Sequence, residues 1–494
     1  MREKGILAID QGTSGSKAII FSPDGRILAG ETIPVASRYP LPGRVEQDPE
    51  EIYTSVIAAV RAALEKYEAL GGDRTRVACC GISNQRETFL LWDPTGKPYH
   101  PAVVWQCKRS INVCERLKTE GAGPELTERT GLIIDPYFSG TKLTALLEEN
   151  PGLSAKVRAG QVLFGTVDSW LLYRLTGGAV HATDYTNASR TLLLNLNDLE
   201  WDETMKQMLD LQGLRLPEVR SSSGFLGQSD FEGAFPAPLA ITAMIGDSHA
   251  AAFGERCLSP GSAKATLGTG SSLLMNTGTK RPVSGNGMVS TICWSAGDRV
   301  DYALEGIIVS CGSTITWMRD QMGFFAASDE ANTLARSVPD SGGVSLIPAF
   351  AGLGAPYWKM EARALISGMT FGTQKAHVVR AGLESIAFQI KDVIAAMEKD
   401  SGIRLTGLQA DGGLTASGFV MEMIAELLAV PVNVIALKEA SALGAALLAG
   451  LGAELISGIE EIDAMPYNSI CHRPGSAPTA APAYERWSQL IRNL

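Results

Sequence analysis

Asp10 closes the aliphatic run of residues 6–9 and stands before a turn of Gly12, Thr13, Ser14, Gly15 and Ser16, followed by Lys17. Glycine lets backbone amides approach an anion, and hydroxyl and ammonium groups add donors. A carboxylate beside such a turn suits a cation such as Mg²⁺ carrying a nucleotide; the plainer reading is an ordinary hairpin turn. A similar turn lies at Gly268-Thr269-Gly270-Ser271-Ser272, between residues 265–267 and the apolar pair Leu273-Leu274. A second acid, Asp247, ends the aliphatic run 241–245 and precedes Ser248 and His249. A carboxylate at a strand end can accept the proton of a hydroxyl during phosphoryl transfer, although Asp there can equally serve as a helix N-cap. A third cluster, Asp411-Gly412-Gly413, lies between an expected strand at residues 405–408 and an expected helix at residues 419–428. Such strand-to-helix turns hold ligands in α/β proteins, and also occur as turns that need positive φ.

The segment Ser83-Asn84-Gln85-Arg86-Glu87-Thr88 places polar groups and a charge pair directly after the apolar strand candidate 77–83. A strand that opens onto such residues makes a site wall suited to hydroxyls; the alternative is a surface salt bridge of little consequence. Trp105 and Tyr137 offer flat faces with one polar tip each, and single residues of this kind also fill cores.

These side chains need a scaffold that brings strand ends together. Short β-prone runs at residues 77–83, 163–167 and 241–245 alternate with helical patterns such as residues 50–70, which argues for α/β architecture. The two Gly-Thr hairpins, one early in each half, predict two related domains facing each other across a cleft, with a boundary near residues 250–259. The apolar stretch 441–456 includes Glu454 and is short for a membrane span. Its Ala and Gly content predicts a buried, closely packed helix.

Composition narrows the class. A chain of 494 residues with 45% hydrophobic and 19% charged residues is globular, and its net charge of −10 disfavours nucleic acid as a partner. The N-terminal pentad Met-Arg-Glu-Lys-Gly lacks a signal-peptide apolar region. Eight scattered cysteines without a C-x-x-C pair, and only five histidines, fit neither a disulfide framework nor a zinc site, so a cytoplasmic protein is expected. The P-loop, protein-kinase, nucleophile-elbow and zincin signatures are missing. The biased segment 473–482 reads as a surface loop.

Taken together, these segments resemble the FGGY carbohydrate kinases. The resemblance runs from Ile6 to about Gly452 and rests on AIDQGTSGSKAIIF (8–21), GISNQRETFLLWD (81–93), GLIIDPYFSGTK (131–142), TDYTNASRT (183–191), GTGSSLLMNTG (268–278) and PAFAGLGAPYW (348–358), among others. It implies two actin-like, ribonuclease H-like ATPase domains of the sugar kinase/Hsp70/actin superfamily, residues 1–252 and 253–494, closing on ATP. It implies transfer of the γ-phosphoryl group of ATP to a terminal hydroxyl of glycerol or a related polyol. Asp247 then matches the catalytic base and, with Asp10, the Mg²⁺-associated acids. Thr13, Ser14, Ser16 and Lys17 match the first phosphate turn, and Gly268 and Thr269 the second. Gly312, Thr316, Gly413 and Ser417 fall on the nucleotide side. Arg86, Glu87, Trp105 and Tyr137 match the polyol site, with Ser248 and Ser272 at its other end. Family analogy also implies a homo-oligomer, a dimer or tetramer, with no membrane partner.

Several positions depart from the pattern. Glycerol-phosphorylating members carry Gln-Gln where this chain has Ser248-His249, and a pocket Phe where it has Ser272. Both changes predict a wider, more polar end of the pocket, suited to a longer polyol or a small ketose. The adenine-side Asn is Ser417 here, a nearby Gln is Thr316, and Lys17 replaces an Arg, keeping the charge without bidentate geometry. A silent polyol- or nucleotide-binding regulator is the competing class, and a protein-directed ATPase a third. The acids and Thr residues argue against the first, and the Arg86-Glu87-Trp105-Tyr137 set against the second. Residues 231–238 lack the Arg with which some members bind fructose 1,6-bisphosphate, and the tail near 471–482 diverges from the segment that binds a phosphotransferase regulator. Fructose 1,6-bisphosphate should therefore leave the steady-state rate unchanged, and dose-dependent inhibition would count against that reading.

Overall fold

The computed structural model describes residues 4–435, 439–475 and 480–494. Two mixed sheets form the frame. In the first, the order is Ser223–Ser229, Leu239–Gly246, Val77–Asn84, Gly5–Gly12, Gly15–Phe21, Ile27–Pro34. Gly5–Gly12 pairs antiparallel with Gly15–Phe21 and parallel with Val77–Asn84. In the second sheet, Ser262–Leu267 pairs antiparallel with Ser271–Gly278 and parallel with Gly407–Asp411. The hairpin echo in the sequence is thus a topological repeat: each sheet starts on a hairpin whose first strand gains a parallel neighbour on its open side. The buried aliphatic runs explain why, since a strand covered on both faces must be apolar throughout.

Helices cover these sheets. Pro49–Ala69 starts where Asp48 caps the Glu50 amide at 3.0 Å and Pro49 fits the first turn. It packs on Gly15–Phe21 and Ile27–Pro34. Lys375–Ser401 plays the matching part against Ser271–Gly278 and Arg299–Ile308. A smaller five-stranded sheet, ordered Ser37–Arg38, Glu46–Gln47, Ala102–Val103, Phe89–Trp92, Leu163–Thr166, carries the loop of Trp105, while Tyr137 lies between the helices Gly123–Thr130 and Ser139–Glu149.

Some expectations shift. The strand expected at 405–408 runs instead over Gly407–Asp411, because its partner is Ser262–Leu267 and the register pairs Ala263 with Leu408. The surface-loop reading of 473–482 holds only up to Gly475: residues 476–479 lie outside the described residues, and Ala480 is already buried. Ala481–Arg492 is a helix, with Pro482 tolerated in its first turn and Trp487 buried. In the segment 231–238, Phe231 and Phe235 are core residues of the first half. Among the described residues, no helix is long and apolar enough to cross a membrane.

The apolar stretch near residue 441 forms the helix Ala440–Gly452, which packs on Asp247–Gly254 and on five strands of the first sheet, although it comes late in the chain. The boundary expected near residue 252 falls inside Asp247–Gly254. The two helices touch through Gly444, where an added Cβ would lie 1.8 Å from the Ala250 carbonyl oxygen. No rotamer relieves a clash with backbone. Gly444→Ala should lower stability by about 3 kcal/mol, checked as a depressed Tm.

Candidate active site

A chain of alternating charges links the second sheet to the first half. Glu87 accepts from Arg190 Nε at 2.7 Å, and Arg190 reaches Glu305 Oε2 at 2.7 Å. Glu305 Oε1 receives Arg86 Nη2 at 3.1 Å, and Arg86 Nε lies 3.2 Å from Asp247 Oδ1. Arg86, Glu87, Arg190 and Glu305 are buried, whereas the Asp247 side chain is 39% exposed. Arg86 and Glu87 are therefore not each other's partners, as a simple charge pair would be; each meets an opposite charge from elsewhere in the chain. Burial works to raise the Glu305 carboxyl, but Arg190 and Arg86 outweigh it and hold the group well below the usual carboxylate range.

Asp247 is the first residue of its helix, and Gly246 occupies the cap position. Its Oδ1 also accepts from the Ser248 amide at 2.6 Å. Ser272 donates to Glu305 Oε1 at 3.1 Å and, like Ser248, is partly exposed. His249 is fully buried below them, 3.5 Å from the Thr291 hydroxyl. Burial first and the Arg86 guanidinium second hold its imidazole well below the ordinary range, so it is neutral.

Trp105 and Tyr137 meet edge to face at 5.7 Å. Trp105 Nε1 donates to Thr13 Oγ1 at 2.9 Å. Gln47 Nε2 donates to the Thr13 carbonyl at 2.6 Å. The tip of the first hairpin is thereby bolted to the aromatic wall, and the Thr13 hydroxyl is already engaged there. Ser14 is exposed at the tip. Ser16 is not brought to it: its side chain is buried and bonds Ser55 Oγ at 2.8 Å, because its strand position faces the helix Pro49–Ala69. Lys17 pairs with Glu439 at 2.6 Å, a partner from the far end of the chain.

The nucleotide-side candidates converge on one cavity of about 300 Å³, lined by Gly268, Thr269, Gly312, Thr316, Gly413 and Ser417 together with apolar Ile315 and Leu414. Gly412 turns the chain there with φ +93°, and an added Cβ would meet the Leu267 carbonyl at 2.5 Å. The turn requirement and the site wall are one feature. Ser417 donates to Asn332 Oδ1 at 2.5 Å, and Asn332 lines the same cavity from the helix Ser328–Arg336.

Sequence reasoning missed Arg190, Glu305 and Asn332. Arg190 sits inside the motif TDYTNASRT and Glu305 among the apolar residues 303–308, and a lone charge in such a setting was the available signal. Asn332 carried none.

Two α/β halves that each open on a Gly-Thr hairpin, with strand-end acids and a separate glycine-lined cavity, have the form of a sugar-kinase-type phosphotransferase. Residues 5–254 match the N-terminal domain of the FGGY family of carbohydrate kinases, and residues 263–453 match its C-terminal domain. The chain belongs to this family and is an ATP-dependent carbohydrate kinase. It is similar to the glycerol kinase of Symbiobacterium thermophilum, 48% identical over 447 residues, which are 90% of this chain and 89% of that one. It is also similar to glycerol kinase 2 of Thermotoga maritima, 46% identical over 460 residues, 93% and 92% of the two chains. Among solved structures, the Plasmodium falciparum glycerol kinase with ADP superposes with a TM-score of 0.94 at 32% identity, covering 99% of this chain and 98% of that one. The ligand-bound xylulose kinase of Lactobacillus acidophilus shares the fold at a TM-score of 0.88 and 21% identity, covering 99% and 98%.

Asp10 accepts from Ser83 Oγ at 3.0 Å. Burial and, after it, the facing Asp247 push its carboxyl up to about 6. A carboxyl raised on folding favours the folded state when protonated, so its contribution is complete below the unfolded value near pH 4 and is lost as pH rises through 6. Asp10→Asn should therefore raise Tm at pH 7.5 without divalent metal by roughly 3 °C. The two Tm curves should converge below pH 4, and the variant should lose kinase activity.

Proposed function

We propose that this kinase transfers the γ-phosphoryl group of ATP to a terminal hydroxyl of a small polyol, with glycerol as the acceptor and sn-glycerol 3-phosphate as the product. The observation that carries the reading is the placement of Asp247, a partly exposed carboxylate held by Arg86 and faced by Asp10, in a chain 48% identical to a glycerol kinase. Asp247 takes the proton from the acceptor hydroxyl as its oxygen attacks. Arg86 and the Ser248 amide engage Oδ1, which leaves the second carboxylate oxygen for that proton. Arg86, Glu87, Trp105 and Tyr137 orient the carbon chain, and positioning of this kind is the main protein contribution to phosphoryl transfer.

The two hairpins hold the phosphates through backbone amides and the Ser14 and Thr269 hydroxyls. Lys17 supplies charge, and Gly312, Thr316, Gly413 and Ser417 border the adenosine. The facing pair Asp10 and Asp247 fits Mg²⁺, since a divalent cation relieves the repulsion that raises Asp10. Bound there with ATP, Mg²⁺ would offset the phosphate charge. The acceptor half is assigned to residues 1–252 and the nucleotide half to 253–494. On family analogy, the setting is the cytoplasm and the working form a homo-oligomer.

A second reading is favoured by Ser248 and Ser272. Both are short and partly exposed, and Ser272 already bonds a buried carboxylate. That end of the pocket suits an extra hydroxyl-bearing carbon, as in a tetritol, pentitol or ketopentose. Acceptor-dependent ADP release across glycerol, tetritols, pentitols and ketopentoses separates the two readings. The highest kcat/KM on glycerol supports the first and an optimum on a longer acceptor the second; release that ignores every acceptor overturns both. Asp247→Asn should lower kcat on the best acceptor by about 10²–10⁴-fold.

A further inference from the structure

The buried lysine Lys142 has no part in the chemistry above. It is fully buried in the helix Ser139–Glu149, and burial lowers its ammonium to about 8 despite nearby Glu87. An ammonium without water is costly unless its donors are used. Its hydrogen bonds go to two backbone carbonyls, those of Tyr137 and, at 3.3 Å, Trp105. These are the two residues whose rings make the acceptor wall, and they are 32 positions apart in different loops.

The rest of that helical turn does related work. Ser139 donates to the Glu87 carbonyl at 2.8 Å. Thr141 bonds the Asp135 carbonyl at 3.3 Å, while the Asp135 carboxylate accepts from the Tyr137 amide at 2.8 Å. Glu87, Trp105 and Tyr137, three of the four residues assigned to the acceptor, are thus held by their main chains from one turn. Loops such as these have no regular backbone ladder to fix them, so side chains that satisfy their carbonyls set their position.

We propose that Lys142 is a positioning residue for the acceptor, clamping the Trp105 and Tyr137 loops together, with Ser139 holding Glu87 in the same frame. The proposal rests on the acceptor-site reading above. Lys142 bonds none of the nucleotide or phosphate candidates directly and reaches the first hairpin only through the Trp105–Thr13 bond, so its effect falls chiefly on the acceptor.

The test compares Lys142→Met, Lys142→Arg and Ser139→Ala with the wild-type chain, using the best acceptor from the panel. Lys142→Met should raise the acceptor KM at least about tenfold, with a clearly smaller rise in the KM for ATP and no rise in acceptor-independent ADP release. Lys142→Arg, which keeps the donors, should recover part of the loss. Ser139→Ala should raise the acceptor KM about threefold, and it decides the matter if Lys142→Met fails to fold. An unchanged acceptor KM in a folded variant, or equal rises for acceptor and ATP, overturns the clamp. A wild-type chain with no acceptor-dependent turnover overturns instead the acceptor reading on which it rests.

Discussion

The structure turns on the buried chain Glu87–Arg190–Glu305–Arg86–Asp247. Charges taken out of water are unfavourable unless each meets an opposite charge in good geometry, and removing one member strands its neighbours. Glu305 belongs to the second sheet and the other four residues to the first half of the chain. The ion chain therefore ties the second sheet to the first half, alongside the helix Ala440–Gly452. It also delivers the only partly exposed member, Asp247, to the opening with one oxygen already engaged.

Around that ion chain, the two sides of the proposed reaction are built differently. The side proposed for the nucleotide is largely backbone: hairpin turns, Gly412 at a close crossing and a cavity that mixes apolar Ile315 and Leu414 with Thr316, Asn332 and Ser417. The side proposed for the acceptor is made of loops whose main-chain carbonyls are held by buried side chains. Thr13 links the two, since its hydroxyl and carbonyl are tied to Trp105 and Gln47. A shift of the first hairpin would move the aromatic wall with it.

Much of the site was legible in local pattern. The turns at Thr13 and Thr269, the acids Asp10 and Asp247 and the strand end at Arg86 each carry a short-range signature, because glycine turns and strand-to-polar transitions are encoded by adjacent residues. Partners were not legible. Nothing near Arg86 indicates Glu305, more than 200 positions away, and nothing near Lys17 indicates Glu439. Ser16 shows the limit in reverse: it sits in the right motif, but strand alternation turns its hydroxyl toward Ser55.

The amino-acid sequence by itself determined the class of fold, the duplicated hairpins and the acids at strand ends, since hydrophobic period and turn chemistry are local properties. Tertiary structure alone decided which charges pair, that the late helix Ala440–Gly452 completes the first half, and that Lys142 joins two distant loops. Those outcomes depend on what is brought together when water is excluded, and burial makes each pairing obligatory once packing has chosen the neighbours.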